Sequence, residues 1–138
     1  MGEVERVSLK LIKRSKTVLV GSIDAEGYPA IKAMFHMENE GLHYFWLGTN
    51  TSSEKVRQFR TNPHACLYFV DMKGFHGLTL AGEMEVLEDP ESKKRLWREG
   101  YEIYYPGGVT DPDYCVLRFT AKKARYYHAL QKVNFNIE

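Results

Sequence analysis

Six segments with the composition of β-strands, most of them joined by short connections, constrain the fold of this chain most. They lie at residues 16–24, 30–37, 42–47, 64–71, 76–89 and 114–128. Strands joined by tight turns pair antiparallel, because a parallel pair needs a long crossover. Helical patterns lie at residues 3–14, just before Asn62, and at residues 91–101. The sequence therefore predicts a mainly β fold, an antiparallel barrel of six strands with helices covering its ends.

Length, charge and cysteine usage narrow the class of protein. The chain has 138 residues, so residues 1–138 are expected to form a single domain around one core. A formal net charge of +1 gives no electrostatic reason to expect nucleic acid or a membrane as partner. Cys66 and Cys115 lie in separate apolar segments, which predicts buried free thiols. Since no apolar run has signal-peptide or membrane-spanning length, the expected location is cytoplasmic.

The segment 48–63, GTNTSSEKVRQFRTNP, places hydroxyl groups and a lysine at a helix start directly after an aromatic strand. Thr51 and Glu54 have the spacing of a capping box, in which each side chain accepts a hydrogen bond from the other residue's backbone amide. Free amides, the positive end of the helix dipole, the hydroxyls and Lys55 would together suit a phosphate. A plain helix cap is the alternative, because serine and threonine cap many helices that bind nothing.

The second predicted strand alternates between an apolar face and a mixed one. The face expected to point toward the core carries Ile31, Ala33, Phe35 and Met37. The opposite face carries Lys32, Met34 and His36. From the alternation alone, Lys32 is an ordinary solvent-facing lysine. The two histidines that flank the following turn, His36 and His43, are expected to be exposed.

Five short motifs follow one another along the chain. They are G-x-P at 27–29, T-N-x-x-S-x-K at 49–55, N-P at 62–63, L-x-G-E-M-E-V at 80–86 and Y-P-G-G-x-x-D-P-x-Y at 105–114. Together they resemble the pyridoxamine 5′-phosphate oxidase-like superfamily, whose members bind flavin mononucleotide (FMN), and the last motif is similar to the small bacterial general stress proteins of that superfamily. The resemblance implies a six-stranded antiparallel FMN-binding split barrel of Greek-key type.

The resemblance also implies which residues hold FMN. The positions implied around the phosphate are Lys32, Thr49, Ser52, Ser53 and Lys55. The positions implied along the isoalloxazine ring are Ala33, Met34, Trp46 and Leu47. Core packing is the alternative role for Trp46 and Leu47. Glu54 stands where relatives often carry a second basic residue, so Lys55 is expected to supply more of the charge toward the phosphate.

Relatives of this type form homodimers that hold each flavin between two subunits. The resemblance therefore implies a homodimer here, with His76 as a candidate to reach the flavin edge across the interface. The apolar segment 64–71 and the tyrosine-rich loop 101–113 are the candidate interface, because a small domain would otherwise expose them.

The function implied is that of an FMN-dependent oxidoreductase acting on a small-molecule redox substrate. Protein side chains do not accept a hydride, so redox chemistry here requires a cofactor. No motif of a hydrolase, a zinc protease or a nucleotide-binding loop is present, no metal site is predicted, and no catalytic residue is assigned. True pyridoxamine phosphate oxidases carry a C-terminal basic motif that the final residues, KVNFNIE, do not match.

Three alternatives remain open at the level of sequence. The first is a flavin-binding stress protein without significant turnover. The second is a branch of the superfamily that uses deazaflavin or haem instead of FMN. The third is a small β-barrel that binds single-stranded nucleic acid through its aromatic and basic residues, against which the near-neutral charge counts.

Overall fold

A computed structural model describes residues 2–36 and 38–138, and within them eight strands and three helices form the fold. The helices are α1 (Glu3–Arg14), α2 (Glu54–Thr61) and α3 (Pro90–Leu96). The strands are β1 (Thr17–Ile23), β2 (Pro29–Phe35), β3 (Glu38–Glu40), β4 (Tyr44–Asn50), β5 (His64–Asp71), β6 (His76–Leu87), β7 (Tyr114–His128) and β8 (Gln131–Asn136). No helix in the described ranges is both long and apolar enough to cross a membrane.

The strands form one curled antiparallel sheet in the order β2-β1-β5-β6-β7-β4-β3, with β8 also paired to β7. β7 pairs with β6 along one edge and with β4 and then β8 along the other. β2 hydrogen-bonds only to β1, and it lies near β4 without pairing with it. The barrel is therefore split between β2 and β4, which confirms the predicted split-barrel fold.

The core fills the inside of this curled sheet and is covered by α1. Leu67, Leu80 and Phe119 on the inner face are fully buried, as are Leu11 and Ile12 of α1. The helical spacing of apolar residues predicted α1 correctly, because the same spacing that makes the helix amphipathic turns those side chains toward the sheet.

The prediction of six strands is two short of the eight in the structure. β3 consists of the three polar residues Glu38–Glu40, and β8 is largely exposed, so neither has the apolar pattern that identifies a strand from sequence. α3 is also shorter than the predicted helix at 91–101. It ends at Leu96, because Trp97 adopts an extended backbone with φ −63° and ψ 135°.

The predicted orientation of β2 is wrong. Ile31 and Phe35 were expected to face the core but are 71% and 74% exposed, whereas Met34 packs against the core. Met37 lies outside the described residues. Cα pairing sets Lys32 opposite the buried Val20 of β1, and directly paired residues share a face of the sheet. Lys32 therefore lies on the side of β2 that carries the core-facing residues, and it is exposed at this open edge, as a solvent-facing lysine was predicted to be.

His36, predicted to be exposed, is half-buried at the end of β2. Its ring stands edge-on to Phe69 with 5.5 Å between centroids, and its Nε2 lies 3.1 Å from Asn39 Oδ1. Nδ1 is buried and has no hydrogen-bond partner among the described residues. Burial lowers the pKa of His36, partly offset by the hydrogen bond to Asn39. His43 is exposed as predicted.

Candidate functional site

A cleft of about 340 Å³ opens at the split in the barrel, where the ends of β2 and β4 come together. The start of α2 and the loop between α3 and β7 complete its walls. Its lining residues are Met34, Phe35, Gly48, Thr49, Asn50, Lys55, Tyr101, Tyr104, Tyr105 and Tyr114. The unpaired seam of a split barrel leaves room for a ligand that a closed barrel would not have.

Three of the ten predicted cofactor residues, Met34, Thr49 and Lys55, line this cleft directly. Lys32 lies close enough to affect Lys55, since its charge contributes to lowering the pKa of that lysine. Residues from β2, β4 and α2, far apart in sequence, therefore come together here. This convergence is what a shared binding site requires.

Lys55 has no carboxylate partner among the residues that the structure describes. Burial is the main cause that lowers the pKa of Lys55, and the positive charge of Lys32 adds to it. Across residues 2–36 and 38–138, neither lysine forms an ion pair, whereas Arg14, Arg95 and Arg118 all pair with carboxylates. Two cations beside each other without a counter-charge favour an anionic ligand between them.

The predicted capping box does not form. α2 begins at Glu54 with Ser53 as its N-cap residue, and the Glu54 carboxylate pairs with Arg57 instead of the Thr51 amide. The Thr51 amide donates to the backbone oxygen of Asp113 at 2.8 Å, and the Ser52 amide donates to Asp113 Oδ1 at 2.8 Å. Asp113 therefore takes the Thr51 amide that the predicted capping box assigned to Glu54, together with the Ser52 amide.

Ser52 and Ser53 face away from the cleft. With Thr51 they border a separate depression of about 170 Å³ that Arg57 and Arg60 also line. The Ser53 hydroxyl oxygen is buried and has no hydrogen-bond partner among the described residues. Within a single chain, the structure does not bring these two serines into the cleft with Thr49.

Trp46 and Leu47 are packed in the interior rather than presented to the cleft. Leu47 is fully buried in the main core, and Trp46 belongs to a second cluster with Leu96 and Tyr114. The Arg95 guanidinium lies 3.9 Å from the centroid of a Trp46 ring. Core packing, the alternative stated above, therefore accounts for both positions in the isolated chain.

Ala33 and His76 also lie outside the cleft of their own chain. Ala33 is exposed on β2. The His76 ring stacks on His128 with centroids 3.8 Å apart, and its Nδ1 lies 2.9 Å from the Tyr126 hydroxyl. Burial, then the charge of His128, lowers the pKa of His76. The role of His76 across a dimer interface stays a prediction.

Sequence reasoning missed the tyrosines as site residues, although it recognised their loop as a motif. Tyr101, Tyr104, Tyr105 and Tyr114 form one wall of the cleft. Burial raises the pKa of Tyr105 to about 12 and that of Tyr114 to about 12, so both phenols stay protonated and able to donate hydrogen bonds. The density of tyrosines after the third helix was the available signal.

Asp113 is the second residue that was missed. Besides its contacts to Thr51 and Ser52, its Oδ2 accepts from Asn50 Nδ2 at 2.9 Å. These hydrogen bonds lower the pKa of Asp113, so the side chain is a carboxylate at neutral pH. No motif of the 48–63 segment indicated this partner, because the contact joins positions about 60 residues apart.

Comparison with known proteins identifies the family. The pyridoxamine 5′-phosphate oxidase family model matches residues 5–128, and the chain belongs to this family. The chain is 47% identical to a protein from Clostridium acetobutylicum related to general stress protein 26, with a TM-score of 0.89 over 98% of this chain and 95% of that one. The predicted superfamily and its general stress protein branch are therefore confirmed.

Two more distant structures share the fold alone. An FMN-binding protein related to pyridoxamine 5′-phosphate oxidase from Nostoc punctiforme is 13% identical, with a TM-score of 0.72 over 100% of this chain and 98% of that one. A heme binding protein from Mycobacterium smegmatis is 15% identical, with a TM-score of 0.80 over 99% of this chain and 59% of that one. No curated protein sequence matches the chain.

Proposed function

We propose that this protein binds FMN in the cleft at the split of the barrel. The observation that carries the proposal is Lys55, which lines the cleft without a counter-charge in the described part of the chain, with Lys32 near enough for its charge to lower the pKa of Lys55. A phosphate dianion would supply that charge, and charge-assisted hydrogen bonds are stronger than neutral ones. The buried Thr49 adds a hydroxyl, and the tyrosine wall suits a flat ring system.

The family and this donor set support FMN over an uncharged ligand. Lys32, Thr49 and Lys55 would hold the phosphate, while Met34 and the tyrosines would lie along the rest of the molecule. Bound FMN would supply hydride or single-electron transfer, which no side chain provides. The protein's own residues would orient the cofactor and exclude water from it.

A homodimer is the second part of the proposal. The outer face of β2 exposes Ile31 and Phe35, and Tyr104 and Ile103 in the tyrosine loop are 69% and 84% exposed. Phe35 and Tyr104 also border the cleft, so a partner covering these side chains would bury apolar surface and close the site at once. The partner would also bring its own Ala33, Ser52, Ser53 or His76 to the flavin, whereas Trp46 and Leu47 keep the core-packing role.

The activity that follows is FMN-dependent oxidation or reduction of a small molecule in the cytoplasm, where the two free cysteines Cys66 and Cys115 would stay reduced. Turnover separates this from a protein that only binds flavin. An FMN-loaded sample should oxidise reduced nicotinamide faster than the same concentration of free FMN. A rate equal to that of free FMN would leave a binding protein without this activity.

The absorption spectrum of the purified protein, before and after addition of FMN, tests the cofactor. A flavin band that stays with the protein on gel filtration is expected. A haem Soret band, or a deazaflavin spectrum, would overturn FMN as the natural cofactor. Titration of the apoprotein with FMN and with riboflavin, which lacks the phosphate, then measures the contribution of the phosphate to the affinity. FMN should bind about 10- to 150-fold tighter than riboflavin if the phosphate gains one charged contact.

Light scattering with gel filtration tests the dimer. The double variant Ile31→Ser, Phe35→Ser should shift the protein toward monomer and weaken FMN binding together. Leu130→Ser provides the matched control, because Leu130 is an apolar residue that is 86% exposed in the β7–β8 turn and does not line the cleft. A monomeric double variant with wild-type FMN affinity would show that the partner does not complete the site.

A further inference from the structure

Asp113 accepts three hydrogen bonds from the turn beside the cleft and is the residue that the proposed function leaves unexplained. Its backbone oxygen accepts from the Thr51 amide, its Oδ1 from the Ser52 amide and its Oδ2 from the Asn50 side chain, at 2.8, 2.8 and 2.9 Å. One residue therefore holds three consecutive positions of the turn that joins β4 to α2.

The same residue anchors the tyrosine loop. The Asp113 amide donates to Asp111 Oδ1 at 2.9 Å, and Asp111 Oδ2 accepts from the Gly107 amide at 2.9 Å. The Asp111 backbone oxygen accepts from Lys93 Nζ on α3 at 3.0 Å. The turn before α2, the loop and α3 are thus one connected network, with Asp113 as the link between the turn and the loop.

A role in holding the turn does not by itself explain why this network uses a carboxylate, because a negative charge there opposes the binding of an anion. A carboxylate lies next to a site whose lysines are expected to attract an anion, and like charges repel. The benefit is that the turn is fixed before a ligand arrives. Thr49 lies directly before it and Lys55 three residues after it, in the first turn of α2, so the conformation of Asn50–Ser52 affects how these two side chains meet the ligand.

We propose that Asp113 is a positioning residue for the anionic part of the ligand, fixing the turn at residues 50–52 so that Thr49 and Lys55 converge on it. The inference rests on the proposed function and adds a residue to it. It also implies that the backbone amides of Thr51 and Ser52 take no part in holding the phosphate.

The ratio of FMN affinity to riboflavin affinity is the measurement that a structural role alone would not change. Asp113→Ala should weaken FMN binding by about tenfold, equal to the loss of one charge-assisted contact, and leave riboflavin within about threefold of wild type. Asp113→Asn keeps an oxygen that can accept from the Ser52 amide, so it should restore most of the FMN affinity.

Asp89→Ala is the matched control. Asp89 is also a carboxylate that accepts from a backbone amide, that of Ser92 at 3.0 Å, but it caps α3 and does not touch the turn. It should lower the melting temperature to a similar degree while leaving the FMN-to-riboflavin ratio unchanged. A ratio that falls equally in Asp89→Ala and Asp113→Ala would mean that general loosening explains both.

Amide hydrogen exchange of the apoprotein provides a readout that needs no ligand. The Thr51 and Ser52 amides should be protected in the wild type and in Asp89→Ala. In Asp113→Ala the Ser52 amide, which loses its side-chain acceptor, should exchange faster, and the Thr51 amide, which keeps the backbone oxygen of residue 113, should change less. Unprotected amides in the wild type would overturn the inference. So would tighter FMN binding in Asp113→Asn, because the carboxylate would then act only by repelling the phosphate.

The outcomes separate this inference from the proposed function. If Lys55→Ala binds FMN as the wild type does, the phosphate site itself is wrong. If Lys55→Ala selectively weakens FMN and Asp113→Ala changes neither ligand, the site stands and only the positioning role of Asp113 fails.

Discussion

β7 and β2 are opposite cases within one sheet. β7 has partners along both edges and most of its residues are buried, including Tyr114, Leu117 and Phe119 at 0% exposure. β2 pairs only with β1 and is exposed along most of its length, although it contains Ile31 and Phe35. Apolar composition therefore does not decide burial here. The number of neighbouring strands does.

This difference explains where the candidate site lies. A strand with partners on both edges leaves no room for a ligand, whereas the unpaired edge of β2 faces β4 across the cleft. Apolar side chains left exposed on a strand edge are also a liability for aggregation unless something covers them. The same edge therefore supplies both the binding cleft and the surface that the proposed dimer would bury.

A pair of phenylalanines tests the comparison most strongly. Phe119→Ala on β7 should lower the free energy of unfolding by about 3–5 kcal/mol, because a fully buried ring is replaced by a cavity. Phe35→Ala on β2 should change it by no more than about 0.5 kcal/mol, because the ring is already in water.

Urea unfolding of the apoprotein, at a concentration low enough to keep it monomeric, gives both values. A large loss from Phe35→Ala under these conditions would contradict the exposed position of β2. If the loss appears only at high protein concentration, it reports the dimer instead, since dimer stability depends on concentration.

A pair of lysines tests the functional side of the comparison. Lys55→Ala should weaken FMN binding by about 10- to 150-fold, the equivalent of about 1.5–3 kcal/mol for a hydrogen bond to a charged group. Lys123→Ala is the matched control, because Lys123 is an exposed lysine of β7 without an ion pair in the described ranges. It should leave FMN binding unchanged, and riboflavin should bind both variants as it binds the wild type.

The pH dependence of the same binding follows from the lowered pKa of Lys55. The lysine must be protonated to attract the phosphate, so FMN affinity should decline as the pH rises through that lowered pKa. Riboflavin affinity should not follow this decline. Equal losses of FMN and riboflavin affinity in Lys55→Ala would show that the lysine supports the cleft rather than the phosphate.

The accuracy with which the sequence predicted strand bounds and orientation differs between β7 and β2. The spans of β5 and β7 match the sequence prediction at both ends, because a continuous apolar run is visible without knowing the neighbouring strands. For β2 the alternation was recognised but the inward face was assigned incorrectly. Alternation only separates two faces, and the pairing of Lys32 with Val20 decides which one points inward.

In the candidate site, too, features within one segment could be predicted and contacts between distant segments could not. Lys55, predicted from the helix start, and Thr49, implied by the resemblance, both line the cleft, and their roles toward a cofactor stay predictions. Local sequence placed the cap at Thr51 incorrectly and missed Asp113, because a competing acceptor from 60 residues away takes the amides. Contacts of this kind depend on the closed fold, and spacing within one segment does not reveal them.

The pH dependence of stability tests the position of His36, the residue that directly follows the edge strand β2 and has a buried ring nitrogen. Burial lowers the pKa of His36 below its ordinary value of about 6.5, so the unfolded chain binds a proton more readily than the folded one. Stability should therefore be constant above that value and fall as the pH drops through it toward the lowered pKa. Asn39, Phe45 and Phe69 surround the ring, and no charged neighbour offsets this shift.

Unfolding free energies measured from pH 7.5 downward, for the wild type and His36→Gln, provide the check. The variant should lose part of the pH dependence. His76, whose pKa is also lowered, contributes in the same pH range, and NMR titration of the two imidazole rings distinguishes them. Carboxylates with a lowered pKa, such as Asp113, contribute at lower pH. A His36 ring that titrates at or above its ordinary pKa would contradict the buried position.

The two hairpin turns provide the smallest test. The β1–β2 turn has Gly27 at φ +87°, a conformation that glycine adopts freely, whereas the β7–β8 turn has Ala129 and Leu130 at φ 52° and 67°. Left-handed backbone costs a residue with a side chain about 1–2 kcal/mol, and the greater freedom of glycine in the unfolded chain offsets about half of that. Leu130→Gly should therefore stabilise the protein by about 0.5 kcal/mol, because the side chain is 86% exposed and little packing is lost.

Gly27→Ala is the reverse change and should destabilise by about the same amount, although no atom lies within 4 Å of the added methyl group. Urea midpoints at constant slope would give both values. Opposite signs of the two stability changes would show that the β1–β2 turn already has the residue that its backbone requires, whereas the β7–β8 turn does not. If Leu130→Gly destabilised the protein, Leu130 would make a packing contact that outweighs its strained backbone.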